Sequence, residues 1–587
     1  MRLLAFAAAA PLVAMAWEQS WPVMSECDKM VYTSIFEPRV TGVLPSYALR
    51  NLTLTESGEI RHYGEDFIGG KVRRVYASSG DIGLTWKTCL AEADDPGAMV
   101  KSPLSGDWIT IWEDSWNGPY QSVRSRKGPG DTSAERRKID TGIFHFFRQP
   151  VYLPVNRKWA VTAGCSGEMP SILFSADDGQ TWTRSDAGGA VNPLGLMIGA
   201  DKSPRWENGY CEPALMERRD GSLVLLCRTA FDHPYSYTSR DGGRTWSGPD
   251  EVADFWMSNT MPTFFRLKDG RLVLFWNNTQ PLPKMDNAVV HPELGGGETT
   301  GKWESVFTNR DILHAAISED DGETWIGWRE VLLNPIRNET DFRERGNYPP
   351  KENDKSVHQS QALELPDGKV LVACGQNAAS RRFVIFDVKW LYETERYEDF
   401  SHGLEGISHH LFVKSLAGGA RGWAGHCAYN RMPGVVMSRE PDTDRTTMRE
   451  AMWLARIPDN RVYCDRTGVA WNFPAARKGV VEIECRLEGK EFWIALSDHW
   501  INPSDEYNFH KSPVVFMVDP SEVGARQWIT VCIGWKDGRA ALKVGDNVVG
   551  SQLLDRVPRH GLSYLHLRST RMSEDRMGTY FRSFKKR

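Results

Sequence analysis

No two of the ten cysteines form a CxxC pair; they are scattered from Cys27 to Cys532. That spacing excludes the common structural zinc frameworks and reads as buried strand residues. Disulfides stay open in an oxidising compartment, with no readable pairing. His402, His409 and His410 lie close together but have no carboxylate or cysteine at ligand spacing, so neither a metal site nor a cofactor is expected. Beyond the N-terminus no run of about 20 apolar residues occurs, so no helical membrane insertion is expected. Net charge is small, −5 over 587 residues, which gives no reason to expect nucleic acid as a partner.

What is present begins with "MRLLAFAAAAPLVAMAW", one arginine, a short apolar run and Ala14-Met15-Ala16. This predicts a signal peptide over 1–16 and a secreted or periplasmic product, with no cysteine after the cut to carry a lipid anchor. The length exceeds one ordinary core, predicting a large domain with a smaller companion. Twenty-three tryptophans and 52 glycines favour stacked sheets over helical bundles.

A repeat supports this. "SGDIGLTW" from Ser79, "SADDGQTW" from Ser175, "SRDGGRTW" from Ser239 and "SEDDGETW" from Ser318 share S-x-D-x-G-x-T-W. Each has the chemistry of a turn: Ser and Asp to bond backbone N–H groups, Gly for an unusual torsion, Trp to pack beneath. The copies begin 96, 64 and 79 residues apart, so they cannot all surround one substrate, and the structural reading outweighs a catalytic one. A second repeat lies between them: "MERRDGSLVLLCR", "FRLKDGRLVLFWN" and "LELPDGKVLVACG", with the looser "LTLTESGEIRHYG", are hairpins turned by Asp-Gly or its equivalent. Two hairpins per unit make the four-stranded blade of a β-propeller.

The first and third turns of such a blade share one face, so the boxes and the Asp-Gly turns belong at the bottom. The open ends of the first hairpins then belong at the top, near the axis. Eight residues before each turn Asp stand Glu212, Met261 and Gln359, with Arg50 in the loose copy; eight or nine after it stand Arg228, Asn277 and Gln376, with Glu65 and Asp66. Two arginines, several carboxylates and several amides on one rim suit an anionic, oxygen-rich ligand.

Boxes at blade turns, an arginine before the first hairpin and Glu/Arg at later rims resemble the sialidase superfamily of six-bladed propellers, whose three arginines clamp the carboxylate of sialic acid. "ALRNLTLTESGEIRHYG" resembles the first-arginine strand and implies Arg50. "GYCEPALMERRDGSLVLLCRTAF" resembles the Glu-strand-Arg segment and implies Glu212 and Arg228. "TNRDILHAAISEDDGETW" is similar to the third-arginine strand and implies Arg310. The last hairpin, "ENDKSVHQSQALELPDGKVLVACGQN", departs from the pattern: His and Gln stand where a nucleophilic Tyr is expected. The stretch from Asp341 to about Pro503 resembles the divergent sialidases of glycoside hydrolase family 181. That resemblance implies catalytic positions at Asp354 and Gln376, and an inverting mechanism without a tyrosine nucleophile. An inverting pair needs carboxyls roughly 6.5–9.5 Å apart; Asp354 supplies one and Asp66 is the natural second. Gln376 cannot titrate and would orient water or bond the sugar, as Gln359 would. Read from residues alone, "NDK" at Asp354 is also good turn sequence.

After Arg396 the blade pattern weakens, and from about Val462 short strands such as "VVEIECRL", "EFWIALSD" and "QWITVCIGW" predict a β-sandwich resembling laminin-G or lectin-like jelly rolls. The expectation is an all-β chain: a six-bladed propeller over 17–460, a sandwich over 461–587, and exo-sialidase activity on sialylated glycans or glycoproteins such as mucin. Its rivals are a glycosidase of other specificity and a sialoglycan-binding propeller without catalysis.

Overall fold

Between Arg39 and Asp387 the chain forms six antiparallel sheets of four strands each. The structure, a computed structural model, describes residues 21–113, 120–142, 145, 148–164, 169–188, 210–229, 232–258, 260–280, 310–334, 357–376, 380–413, 430–442, 448–457, 468–503, 506–571 and 574–587. Five of the sheets take four consecutive strands: residues 52–90, 100–139, 151–186, 211–251 and 263–333. The sixth joins Gln361–Glu364, Lys369–Cys374 and Arg382–Asp387 to Arg39–Gly42 from the start of the chain.

Burial explains the strand sequences. Second strands such as Leu223–Arg228, Leu272–Trp276 and Lys369–Cys374 are buried at every position, because sheets lie against both of their faces, and they read as continuous apolar runs. Outer strands such as Ser247–Glu251 and Thr183–Asp186 are mostly exposed and polar. Apolar clusters join the second sheet to the third, and so on in order to the sixth; one further cluster joins the sixth to the first through Leu52, Ile60 and Ala77 against Leu371, Phe383 and Ile385. The first and second sheets meet through polar and aromatic groups: Arg74 lies over the Trp112 ring at 4.4 Å, and the Thr53 hydroxyl donates to Met99 O at 2.5 Å.

The boxes close the third turns of four sheets by one scheme. Asp177 accepts from the Ser175 hydroxyl (2.8 Å), the Thr181 N–H (2.8 Å) and the Thr181 hydroxyl (2.5 Å), while Gly179 N–H donates to Ser175 Oγ at 2.8 Å. Asp81, Asp241 and Asp320 repeat it. The glycine is obligatory twice over: in all four boxes its φ lies between 82° and 88°, and a Cβ there would meet the preceding sheet, Ile109 at 2.9 Å for Gly179 and Phe174 at 2.5 Å for Gly243. Asp178 ties sheets together, accepting from Ser102 Oγ (2.6 Å) and Trp159 Nε1 (2.8 Å). The second sheet holds an expanded version that the motif does not match. Ser125 Oγ donates to Asp131 at 2.6 Å and accepts from Gly128 N–H at 2.8 Å, with six residues from Ser to Asp in place of two.

Burial raises the Asp177 pKa, but the bonds from Thr181 and Ser175 outweigh it and hold the carboxyl below its usual range. Asp177→Ala is expected to lower stability by about 1–3 kcal/mol, since a charged acceptor of three bonds is lost. Urea denaturation checks this. Because the native carboxyl is the stronger acid, the deficit should be full above about pH 4, the unfolded pKa, and fade as pH falls through the lower folded value.

C-terminal to these sheets, an eight-stranded sheet and a four-stranded sheet (Gly468–Ala476, Leu562–Arg568, Phe492–Ser497 and Val514–Val518) share one core. Trp471, Phe492 and Leu567 from one meet Ile483, Val531 and Phe581 from the other. The larger sheet includes Val436–Arg439 and Glu450–Arg456, paired through to Asp575–Lys586. This unit docks on the fifth sheet through buried polar groups. Asn278 Nδ2 donates to Asp498 O (2.8 Å), and Asn472 Nδ2 to Trp328 O (2.9 Å). Asn278 N–H donates to His314 Nδ1 (3.0 Å), so the His314 proton sits on Nε2, which meets Tyr564 Oη at 2.5 Å; Tyr564 in turn donates to Glu330 at 2.5 Å.

Candidate functional site

The first strand of the fourth sheet begins with an irregularity: Cys211 pairs Arg228, but the next partner pair is Ala214 and Leu226. Within this bulge Glu212 takes a left-handed φ of 46°, unusual for a residue with a side chain. The bulge carries the Glu212 carboxylate to Arg228, 2.6 Å away, with Glu212 only 5% exposed. Gln359, at the matching place in the sixth sheet, has φ 57°. Two rim positions, read from one count back from the turn Asp, thus share a strained backbone, of the kind found where side chains are aimed at a ligand.

Arg310, 1% exposed, stands at the entrance to Ile312–Ser318, and its carbonyl accepts from Val357 N–H at 2.7 Å. Asn277 Nδ2 donates to Val357 O at 2.9 Å and also to Ile312 O. Asn277 is therefore a buried brace that holds the Arg310 segment against the Val357–Gln359 segment. Met261 is likewise buried.

In the sixth sheet Gln376 Oε1 lies 2.6 Å from His358 Nε2, and Gly375 N–H donates to His358 O at 2.9 Å. Arg381 bonds the Gln376 carbonyl through Nε (3.3 Å) and Nη2 (3.1 Å), reaches Pro45 O through Nη1 (3.0 Å), and lies over the Tyr47 ring at 4.8 Å. Arg50 follows on that same segment, half-buried. Gln361 joins the sixth sheet to the first, accepting from Leu52 N–H (2.7 Å) and donating to Leu52 O (3.3 Å).

Arg148, which the sequence motifs do not single out, sits among these strand starts. Its guanidinium donates to Pro213 O (3.2 Å), Thr263 Oγ1 (3.0 Å) and Pro262 O, and Thr263 Oγ1 donates to Ser360 O at 3.0 Å. Burial pushes the Arg148 pKa down to about 10, while the Glu212 charge opposes that shift. With Gln149 and Gln361 it lines a cavity of about 170 Å³ between the first strands. Arg148 thereby connects the Glu212 bulge with the fifth sheet, and Thr263 carries the connection to the sixth.

Of the predicted residues, Glu212 and Arg228 meet directly, Arg310 and Gln359 are joined by the Val357 bond, and Gln376 and the Arg50 segment are joined by Arg381. Asp66 stands apart: it lies near the tip of the hairpin Ile60–Ile68 and Lys71–Ser79, beside Phe67, which is 70% exposed. Its carboxylate accepts from Phe67 N–H at 2.8 Å, and among the described residues it is bonded to none of the other candidates. Asp354 lies outside the described residues. Among the described residues no three His, Cys, Asp or Glu side chains converge as metal ligands do, and no helix is long and apolar enough to cross a membrane. Cys27, Cys89, Cys227, Cys374, Cys485 and Cys532 are free thiols.

Arginines, a carboxylate and amides at strand ends have the chemistry to bind a planar anion with hydroxyl groups about it. Similarity to known proteins is low. No curated protein matches the chain. Among solved structures it is similar to a sialidase of Trypanosoma rangeli in complex with sialic acid (12% identity, 93% of this chain and 91% of that one, TM-score 0.34). It is also similar to a protein of unknown function from Dyadobacter fermentans (14% identity, 60% and 97%, TM-score 0.37). The BNR repeat-like domain model matches residues 104–333. The matched residues, which carry three of the four boxes, are similar to a BNR repeat-like domain, and the chain around them is nearly all-β.

Proposed function

We propose that the six sheets are the blades of a closed propeller, that the two C-terminal sheets are a β-sandwich, and that the chain is a secreted exo-α-sialidase acting on sialylated glycans and glycoproteins. The single observation that carries this is the buried Glu212–Arg228 pair at one strand end, with buried Arg310 clipped to the segment that leads into Gln359. Buried guanidinium groups recognise a carboxylate bidentately, and a neutral sugar would require none of them. Glu212 fixes Arg228 in place and offsets its charge when the site is empty.

His358 and Gln359 occupy the start of the last hairpin, so the reading is hydrolysis without a tyrosyl intermediate. Asp354 and Asp66 serve as the acid and base on opposite faces of the sugar, and water attacks with inversion. Gln376 and Gln359 bond the sugar, and Arg50, Arg228 and Arg310 hold its carboxylate.

NMR of the fresh product from defined sialosides tests this. First appearance of the β-anomer from an α-sialoside supports inversion, and the α-anomer removes it. Sialoglycan binding with no release turns the reading to a binding propeller, and release of neutral sugars alone turns it to another glycosidase.

A further inference from the structure

At the ends of the last hairpin His358 meets Gln376, and the contact has a direction. An amide oxygen only accepts, so the 2.6 Å approach of Gln376 Oε1 to His358 Nε2 requires a proton on Nε2. We infer that His358 is a positioning residue: its Nε2–H holds the Gln376 amide with the NH₂ edge turned to the ligand, which makes Gln376 a hydrogen-bond donor to an anionic substrate. The catalytic consequence rests on the sialidase reading; the orientation does not.

Three further contacts keep the pair from adjusting. His358 is 1% exposed, so its ring has no solvent to turn towards. The Gln376 carbonyl is gripped by two nitrogens of Arg381, which is itself anchored on Pro45 O and the Tyr47 ring. Gly375, at φ 110°, donates its N–H to His358 O. A Cβ on Gly375 would lie 2.6 Å from Ser380 O and 2.7 Å from Arg381 Cα, so this close approach admits only glycine. With Oε1 engaged by His358, the NH₂ is the remaining polar edge of the amide.

The direction decides the chemistry. An outward NH₂ offers a donor of the same sense as a guanidinium towards a carboxylate or hydroxyl oxygen. It cannot accept a proton from attacking water, so that step falls to a carboxylate. The flipped amide, with NH₂ donating to a bare Nε2 and Oε1 outward, would do the reverse.

Selective ¹⁵N labelling of histidine in the full chain reads the orientation without any substrate. The expected result is the neutral Nε2–H tautomer for His358, assigned by its loss in His358→Gln; the Nδ1–H tautomer overturns the inference. Kinetics on a sialoside read the consequence. His358→Phe should lower kcat by about 10–100-fold with a smaller change in KM. His358→Gln, whose amide NH₂ reaches as Nε2 does, should regain most of it, and His358→Asn, which mimics Nδ1, should not. In a Gln376→Leu background His358→Phe should cost nothing more; an undiminished second loss overturns the inference, since His358 would then act by another route. If the wild-type chain releases no sialic acid, the sialidase reading fails and the tautomer alone decides the orientation.

Discussion

Glu212→Leu is expected to destabilise the protein by about 3–5 kcal/mol, because it breaks a buried ion pair by removing one partner. Arg228 is nearly as buried as Glu212, and among the described residues their 2.6 Å contact is the one ion pair of Glu212. Arg148 adds to the loss, since the Glu212 charge opposes the burial that already depresses its pKa. Leu has the same difficulty as Glu at φ 46°, so the comparison reads the charge and not the backbone. Glu212→Leu with Arg228→Met should regain most of the stability, since an apolar pair of similar volume replaces a buried ion pair at little cost. On the proposed function it should still bind sialosides poorly. Urea midpoints at pH 7.5 measure the first effect and sialoside binding the second. A double variant as unstable as the single would place the effect in packing.

How much of this was readable depended on whether a residue sits at a fixed distance from a turn. The boxes were legible because each side chain in S-x-D-x-G-x-T-W has a local bond to make, and Asp177, Asp241 and Asp320 make them. Counting from Asp220 and Asp367 reached the strand ends at which Glu212, Arg228, Gln359 and Gln376 stand, because hairpin register is carried through a tight turn. The same count reached Asn277 but did not foresee that its side chain turns inward to brace Val357. It did not anticipate the bulge at Cys211 to Ala214, although that bulge is what aims Glu212.

Arg148 lies in a connection between sheets, outside both repeats, and only the folded chain places it beside Pro213 and Thr263. The expanded box of the second sheet hid behind four inserted residues between Ser125 and Asp131. The strand Arg39–Gly42 that completes the sixth sheet pairs across more than 300 residues, and such pairings leave no local periodicity. The docking of the C-terminal sheets is of the same kind: Asn278, His314 and Asn472 bond partners 91 to 250 residues away.

Buried histidines also predict steep acid sensitivity. His62, His314 and His566 are fully buried, and burial pushes each pKa down to about 3. Neighbours contribute: Arg381 faces His62, and His499 with Arg568 faces His566. His314 faces Tyr564, which donates to Glu330, and protonation of its Nδ1 would break the bond from Asn278 N–H. Unfolded histidine binds its proton near pH 6.5, so below that pH the unfolded chain holds more protons than the native one, and stability falls as pH falls. Each such histidine removes about 1.4 kcal/mol per pH unit, which for three amounts to roughly 6 kcal/mol between pH 6.5 and 5, comparable with the whole stability of many domains. Carboxyls such as Asp177 and Asp320, held below their usual range, begin to contribute only below about pH 4 and do not mask this window. Glu364 and Glu398, raised by burial, act in the opposite sense over part of it. His560, pushed down to about 4, and His499, also lowered by burial, act in the same sense, so urea midpoints from pH 7.5 to 5 should drop steeply, with at least three protons taken up on unfolding. His62 packs edge-on against Phe383 and has no polar partner among the described residues, so His62→Leu should lower the proton uptake on unfolding by about one at little cost at pH 7.5. A midpoint that stays level from pH 7 to 5 would mean that these rings find protons or water in the native chain.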